Sequence, residues 1–181
     1  MIEARQALRG LYAITPDTTD GDLLLQRTEA ILRGGCHLVQ YRSKSPAAHV
    51  RLEHAKALLR LCRAHGALLI INDDVAMAQA IDADGVHLGR DDAPVAAARA
   101  MLGMRLVGAS CYDSLANAEN AQRAGADYVA FGSFFPSSVK PHAVRPPVEL
   151  LKTARAKLSV PIVAIGGITS SNASALIEAG A

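Results

Sequence analysis

Seven short apolar runs, helical segments between them, and glycines closing those segments predict an α/β fold. The pattern fits a TIM (β/α)₈ barrel of parallel strands covered by helices, with the eighth β/α unit missing from this chain. The runs are Leu11–Ile14, Leu38–Tyr41, Leu68–Ile71, Val86–Leu88, Leu106–Ala109, Tyr128–Phe131 and Ile162–Ile165. Each is too short for a helix and nearly continuous in apolar residues, as in a strand buried on both faces. Helical spacing occupies Leu23–Leu32, Val50–Ala64, Val75–Ile81, Val95–Leu102, Leu115–Ala124, Val148–Leu158 and Ala173–Ala179. An open doubly wound sheet is the alternative arrangement of the same units.

The helix ends carry their own signals. Gly34-Gly35, Gly66, Gly103, Gly125 and Gly180 follow apolar-periodic stretches and suit the left-handed residue that ends a helix. Pro46 and Pro94 stand where first turns begin, and Asp20, Asp113 and Thr169 are expected N-caps. No linker divides the chain, so residues 1–181 read as a single barrel domain with seven βα units and no C-terminal eighth unit. The segment Gly132–Pro147 exceeds an ordinary βα loop and is a candidate lid or binding loop.

Composition narrows the function classes. Half of the residues are apolar, and the net charge is +2 with Lys and Arg spread along the chain, so no basic stripe points to nucleic acid. With four Tyr, three Phe and no Trp, stacking platforms for bases are also scarce. Cys36, Cys62 and Cys111 are odd in number and scattered, which fits buried thiols in a reducing cytoplasm. The first residues lack the apolar block of a signal peptide, and no apolar run reaches the roughly 18 residues of a membrane span.

Residues able to do chemistry collect at the C-terminal ends of the expected strands, where barrels of this type place their active sites. These are Thr15-Pro16, Gln40–Lys44, Asn72-Asp73, Gly89–Asp92, Ser110, Gly132–Lys140 and Gly166-Gly167. Asp73 and Asp92 follow neighbouring strands, and paired carboxylates suit Mg²⁺ shared with substrate phosphates. Solvated loop acids or helix caps are the plainer reading of Asp73, Asp74, Asp91 and Asp92. Arg42 and Lys44 alternate with Tyr41 and Ser43, so both cations are expected to project one way and, with Lys140, to form an anion pocket. Surface ion pairing is their alternative role. Gly166-Gly167 between a strand and a helix allows backbone N–H groups to approach a phosphate at the positive helix end; a tight turn without ligand is the alternative. His87 lies inside an apolar strand and is read as a core histidine, His142 faces solvent or substrate, and Cys111 is read as packing because no base is identifiable beside it.

At these residues the sequence resembles the thiamine-phosphate synthase family. Gln40-Tyr41-Arg42-Ser43-Lys44 resembles its Q-x-R-x-K segment, and Asn72-Asp73-Asp74 its N-D-x. Asp84–Pro94 (DGVHLGRDDAP) resembles its D-G-V-H-L-G-x-x-D-x-P. Gly108-Ala109-Ser110, Gly125–Val129, Gly132–Lys140 and Pro161–Ile168 (PIVAIGGI) continue the likeness in the same order.

The resemblance implies a TIM barrel transferase that couples hydroxymethylpyrimidine diphosphate with a thiazole phosphate, releasing pyrophosphate. Its substrate-binding positions map to Gln40, Tyr41, Arg42, Ser43, Lys44, Asn72, Ser110, Ser137, Ser138, Val139, Lys140 and Gly166. Of these, Arg42, Ser110 and Lys140 would take part in catalysis, and Asp73 and Asp92 would bind Mg²⁺. Partners would be these small molecules, with no nucleic acid or membrane; a homo-oligomer is left open. Two departures stand out. The family's F-P-T-x-T-K is Phe135-Pro136-Ser137-Ser138-Val139-Lys140 here, so Val139 offers no side-chain hydroxyl, and the eighth strand is missing; weak thiazole-phosphate binding is expected. The alternatives are a thiazole tautomerase of the same superfamily and an inactive truncated barrel that only binds ligand.

Overall fold

The computed structural model describes residues 8–136 and 144–181. Its strands are β1 Tyr12–Ile14, β2 Leu38–Tyr41, β3 Leu68–Asn72, β4 Gly85–Leu88, β5 Leu106–Tyr112, β6 Tyr128–Gly132 and β7 Ile162–Ile165. The helices are α1 Gly21–Arg33, α2 Ala48–Ala64, α3 Val75–Ala80, α4 Val95–Leu102, α5 Leu115–Arg123, α6 Glu149–Lys157 and α7 Ala173–Glu178. All seven expected strands and all seven expected helices are present, and the sheet order follows the chain from β1 to β7. A doubly wound sheet reverses its strand order partway, so that alternative is set aside. What stands is an α/β fold with a seven-stranded parallel sheet.

The chain falls into two compact units, Met1–His87 with Ala97–Leu106, and Leu88–Ala96 with Val107–Ala181. In the first, β1, β2, β3 and β4 pair in parallel, with Tyr12 opposite Leu38, Leu38 opposite Leu68, and Ile70 opposite Gly85. Leu38, Leu68 and Ile70 share one face and cluster with Tyr12 and Leu106. Val39, Leu69 and Ile71, on the opposite face, are shut off from solvent, while Leu68 on the first face is partly buried. Burial on both faces is why these strands read as unbroken apolar runs. Helix α1 starts because the Asp20 carboxylate accepts the Leu23 N–H at 2.9 Å, and α3 because Asp74 does the same for Met77 at 2.8 Å.

The second unit packs β6 and β7 in parallel, Val129 opposite Ile162, around a core that includes Val129, Phe131, Leu151, Ala154, Ile162 and Leu176. Each unit uses the same device at the start of a strand. The Asp84 carboxylate takes the Leu69 N–H at 2.8 Å, and the Asp127 carboxylate takes the Val107 N–H at 2.9 Å. A carboxylate, partly buried at Asp84 and buried at Asp127, thus completes the backbone hydrogen bonding of the preceding strand.

Helix-ending glycines adopt the left-handed conformation, as at Gly66 (φ 65°) and Gly125 (φ 97°). Two expected caps are corrected. Helix α5 is capped by Ser114, whose hydroxyl accepts the Asn117 N–H at 3.2 Å, and not by Asp113. Helix α7 is preceded by Asn172, whose Oδ1 accepts the Thr169 N–H at 2.8 Å, so Thr169 is a donor within the loop instead of the cap. Among the described residues, no helix is long and apolar enough to cross a membrane.

Candidate active site

In the first unit the candidate residues leave the ends of β1, β2 and β3. Gln40 is 3% exposed, and its side-chain amide donates to the Tyr12 hydroxyl at 2.9 Å. Tyr41, the next residue along β2, belongs to the opposite face. Its ring meets His54 of α2 edge-on at 6.5 Å, its buried hydroxyl has no partner in good hydrogen-bond geometry among the described residues, and burial raises its pKa against the weaker opposing influence of the nearby Ser43 hydroxyl and the Arg51 charge. Strand alternation therefore puts Gln40 and Tyr41 on different sides, and Tyr41 sits against a helix instead of beside Gln40.

Arg42 and Lys44 were expected to point together because residues two apart in a strand share a face. Strand β2 ends at Tyr41, so that rule does not reach them. Other contacts fix their course: the Thr15 hydroxyl accepts the Arg42 N–H at 3.0 Å, and Asp17 accepts the Lys44 N–H at 2.9 Å. The Ser43 hydroxyl accepts the Ser45 N–H at 3.2 Å, which ties the turn locally. Among the described residues neither Arg42 nor Lys44 makes a side-chain ion pair. Lys44 and Ser45, with Asp17, Thr18 and Thr19, line a shallow cleft of about 460 Å³. Asn72 ends β3, and Asp73 follows in the left-handed conformation (φ 65°), its N–H held by the His87 carbonyl at 2.8 Å. Asp74 is the helix cap described above, as the plainer reading of that acid expects. His87 is buried in β4, in keeping with a core histidine.

In the second unit, Asp92 is held by its own loop. Its Oδ2 accepts the Gly89 N–H at 2.6 Å, and a Cβ on Gly89 would stand 3.0 Å from that oxygen. Arg90 stacks its guanidinium 4.6 Å from the centre of the Tyr112 ring and donates its N–H to the Tyr112 hydroxyl at 3.3 Å. Ser110 lies two residues before Tyr112, at a register shift in the β5–β6 pairing that turns the chain just past it. Cys111 is shut in the core, and burial pushes its thiol up to about 12, so it is packing and not a nucleophile.

Gly166 (φ 102°) and Gly167 (φ 62°) end β7. Their carbon-free surface is filled by protein: a Cβ on Gly166 would lie 2.6 Å from Ser133 Cα, and one on Gly167 would lie 2.8 Å from Phe135 Cβ. Phe135 donates its N–H to the Gly166 carbonyl at 3.0 Å. Residues 168–172 separate the glycines from α7, so they do not open directly onto a helix end. Close backbone approach accounts for both glycines. Ser137, Ser138, Val139, Lys140 and His142 lie outside the described residues.

Sequence reasoning placed Thr15 and Arg90 among the strand-end candidates without giving them roles, and passed over Asp17 and Tyr112. Thr15 and Asp17 do carry a local signal, polar residues just past a strand. Tyr112 carries none, since its ring meets Arg90 from 22 positions away.

Parallel strands with acids, amides and cations near their carboxyl ends place the chain in the α/β class, whose folds bind ligands at that edge of the sheet. The chain belongs to a specific family of that class: the thiamine monophosphate synthase model matches residues 11–181. It is 56% identical over 177 residues to the thiamine-phosphate synthase of Azoarcus sp. (strain BH72), covering 97% of this chain and 86% of that one. Identity to the thiamine-phosphate synthase of Thioalkalivibrio sulfidiphilus (strain HL-EbGR7) is 55% over 183 residues, covering 100% and 87%. Among solved structures, the thiamine phosphate pyrophosphorylase from Pyrococcus furiosus superposes with a TM-score of 0.84 at 35% identity, covering 97% of this chain and 83% of that one. The resemblance drawn from the motifs is borne out, and with it the expectation of a transferase of thiamine biosynthesis.

Proposed function

We propose that this chain, acting as a single barrel domain, is a thiamine-phosphate synthase. It joins hydroxymethylpyrimidine diphosphate to a thiazole phosphate, with loss of pyrophosphate. The observation that carries the reading is the pair Arg42 and Lys44, held at the end of β2 by backbone contacts with their charges unpaired among the described residues. Cations kept unpaired in this way are suited to an anionic substrate.

The donor set fits Mg²⁺. Asp73 and Asp92 offer hard carboxylate oxygens, and Mg²⁺ is commonly held by one or two carboxylates with substrate phosphates completing its shell. Among the described residues no group of three His, Cys, Asp or Glu side chains is placed to hold a metal ion by itself. When bound, Mg²⁺ would neutralise charge on the leaving pyrophosphate.

The protein's part is binding and charge stabilisation. Arg42 and Lys44, joined by Lys140, would neutralise the diphosphate oxygens as the carbon–oxygen bond breaks and its electron pair leaves with pyrophosphate. Gln40 and Asn72 would orient the pyrimidine, whose amino group stabilises the cation left at its methylene carbon. Ser110 would donate to the diphosphate, and Ser137, Ser138, Val139 and Gly166 would face the thiazole phosphate. The thiazole nitrogen then attacks the methylene carbon. No protein nucleophile is needed, in keeping with the buried, high-pKa thiol of Cys111.

Pyrophosphate release, measured with both substrates and Mg²⁺, tests the reading. Release that requires the thiazole phosphate is expected, and Asp92→Asn should abolish it while keeping an oxygen for the Gly89 N–H. Isomerisation of a thiazole carboxylate without pyrophosphate release would assign the chain as a tautomerase instead, and binding without either reaction would make it a ligand-binding barrel.

A further inference from the structure

We infer that Thr15 is a positioning residue for the substrate-binding cations: its buried hydroxyl clasps both backbone groups of Arg42 and so sets the path of the segment carrying Arg42 and Lys44. The inference rests on the synthase reading for what those cations bind.

Three hydrogen bonds converge on Thr15, which is 7% exposed. Its N–H donates to the Gln40 carbonyl at 2.9 Å, extending the β1–β2 pairing one step past the last residue of β1. Its hydroxyl accepts the Arg42 N–H at 3.0 Å and donates to the Arg42 carbonyl at 3.3 Å. A side chain therefore takes over where the backbone ladder stops. Two residues further along each chain, Asp17 accepts the Lys44 N–H at 2.9 Å. The loop after β1 thus holds the two cationic positions, while Ser43 and Ser45 are tied locally and Arg51 donates to the Ser45 carbonyl at 2.7 Å.

The physical consequence is preorganisation. Arg42 and Lys44 lie beyond β2, where no sheet pairing restrains the backbone, and a flexible cation must be ordered at the moment of binding. Thr15 removes that cost beforehand by fixing the backbone from which Arg42 departs. Valine has nearly the shape of threonine without the hydroxyl, so Thr15→Val removes the clasp with little change in packing.

The test compares wild type, Thr15→Val and Thr15→Ser by steady-state kinetics, by calorimetric titration with inorganic pyrophosphate, and by thermal melting. Thr15→Val, which loses both hydroxyl hydrogen bonds to Arg42, is expected to raise the KM for the pyrimidine diphosphate and the Kd for pyrophosphate by about fivefold to tenfold, on the order of one hydrogen bond's net worth. The KM for the thiazole phosphate should stay unchanged, and Thr15→Ser should restore both values to within about twofold. Melting that drops without any change in KM or Kd would overturn the inference, as would an equal rise in KM for both substrates or failure of serine to rescue. Should Thr15→Val not fold, Thr15→Ala is compared with Thr15→Ser instead, and an alanine variant with the same KM and Kd as the serine variant would refute the clasp. If wild type releases no pyrophosphate the synthase reading fails, and the pyrophosphate titration then decides the clasp alone.

Discussion

Replacing Gly166 by Ala tests whether the loops after β6 and β7 are packed backbone against backbone. A Cβ at this position would stand 2.5 Å from Ser133 Cβ and 2.6 Å from Ser133 Cα, distances at which one chain must move. Because a backbone atom is among the obstacles, no rotamer change relieves the contact. Moving the loop would break the Phe134 and Phe135 N–H bonds to the Ile165 and Gly166 carbonyls, each 3.0 Å. Overpacking of this kind costs about 1–3 kcal/mol. The positive φ of 102° adds about 1–2 kcal/mol for a residue with a Cβ. Together these predict a loss of about 2–5 kcal/mol, or roughly 5–15 °C in Tm for a chain of this size. Gly103→Ala is the control: φ is 60°, and a Cβ there has nothing within 4 Å, so only the conformational cost applies. Urea denaturation of both variants, with the KM for thiazole phosphate measured in parallel, separates packing from strain. If Gly166→Ala loses no more stability than Gly103→Ala and keeps its KM, the close approach is not what requires glycine there.

Three further outcomes are expected. The three cysteines are buried, and burial pushes Cys62 and Cys111 up to about 12, so a thiol reagent at neutral pH should find these two unreactive in the native protein and titrate all three in guanidinium. Burial raises the Asp84 pKa above 3.8, so the stability it contributes is full below its unfolded value and is lost as pH rises through the folded one. Asp84→Asn retains an acceptor for the Leu69 N–H, and denaturation across pH 3 to 7 should show it gaining on wild type as pH rises from about 4; a constant difference would contradict the burial argument. Tyr112→Leu removes the stacking of Arg90 and its N–H acceptor, a loss of about 1–2 kcal/mol, and should raise the Mg²⁺ concentration for half-maximal pyrophosphate release severalfold if the Gly89–Asp92 loop carries a metal ligand. An unchanged Mg²⁺ dependence would separate that loop from the metal.

The fold was legible because its signals are short-ranged. Runs such as Leu68–Ile71 bury both faces, and helices such as α2 repeat apolar residues on one side, patterns that need no knowledge of distant partners. Caps were less legible: Asp113 and Ser114 are adjacent and both are good capping residues, and only the path of the backbone chose Ser114. The site was legible as a set of motifs, yet their side-chain directions were not. Tyr41 lies within the same motif as Gln40 and Arg42 but packs against His54, because it occupies the last alternating position of β2.

Read alone, the chain determined its seven strands and helices, the acids and cations at the strand ends, and a family whose motifs lie in one order along it. These depend on spacing between near neighbours, which the covalent chain itself sets. Only tertiary structure decided that Thr15 holds Arg42, that Arg90 rests on Tyr112, and that Gly166 is glycine because Ser133 fills the space beside it. Each of these joins residues far apart in sequence. Such contacts exist only once parallel pairing has brought the ends of separate strands together, and no local pattern encodes which residues will then meet.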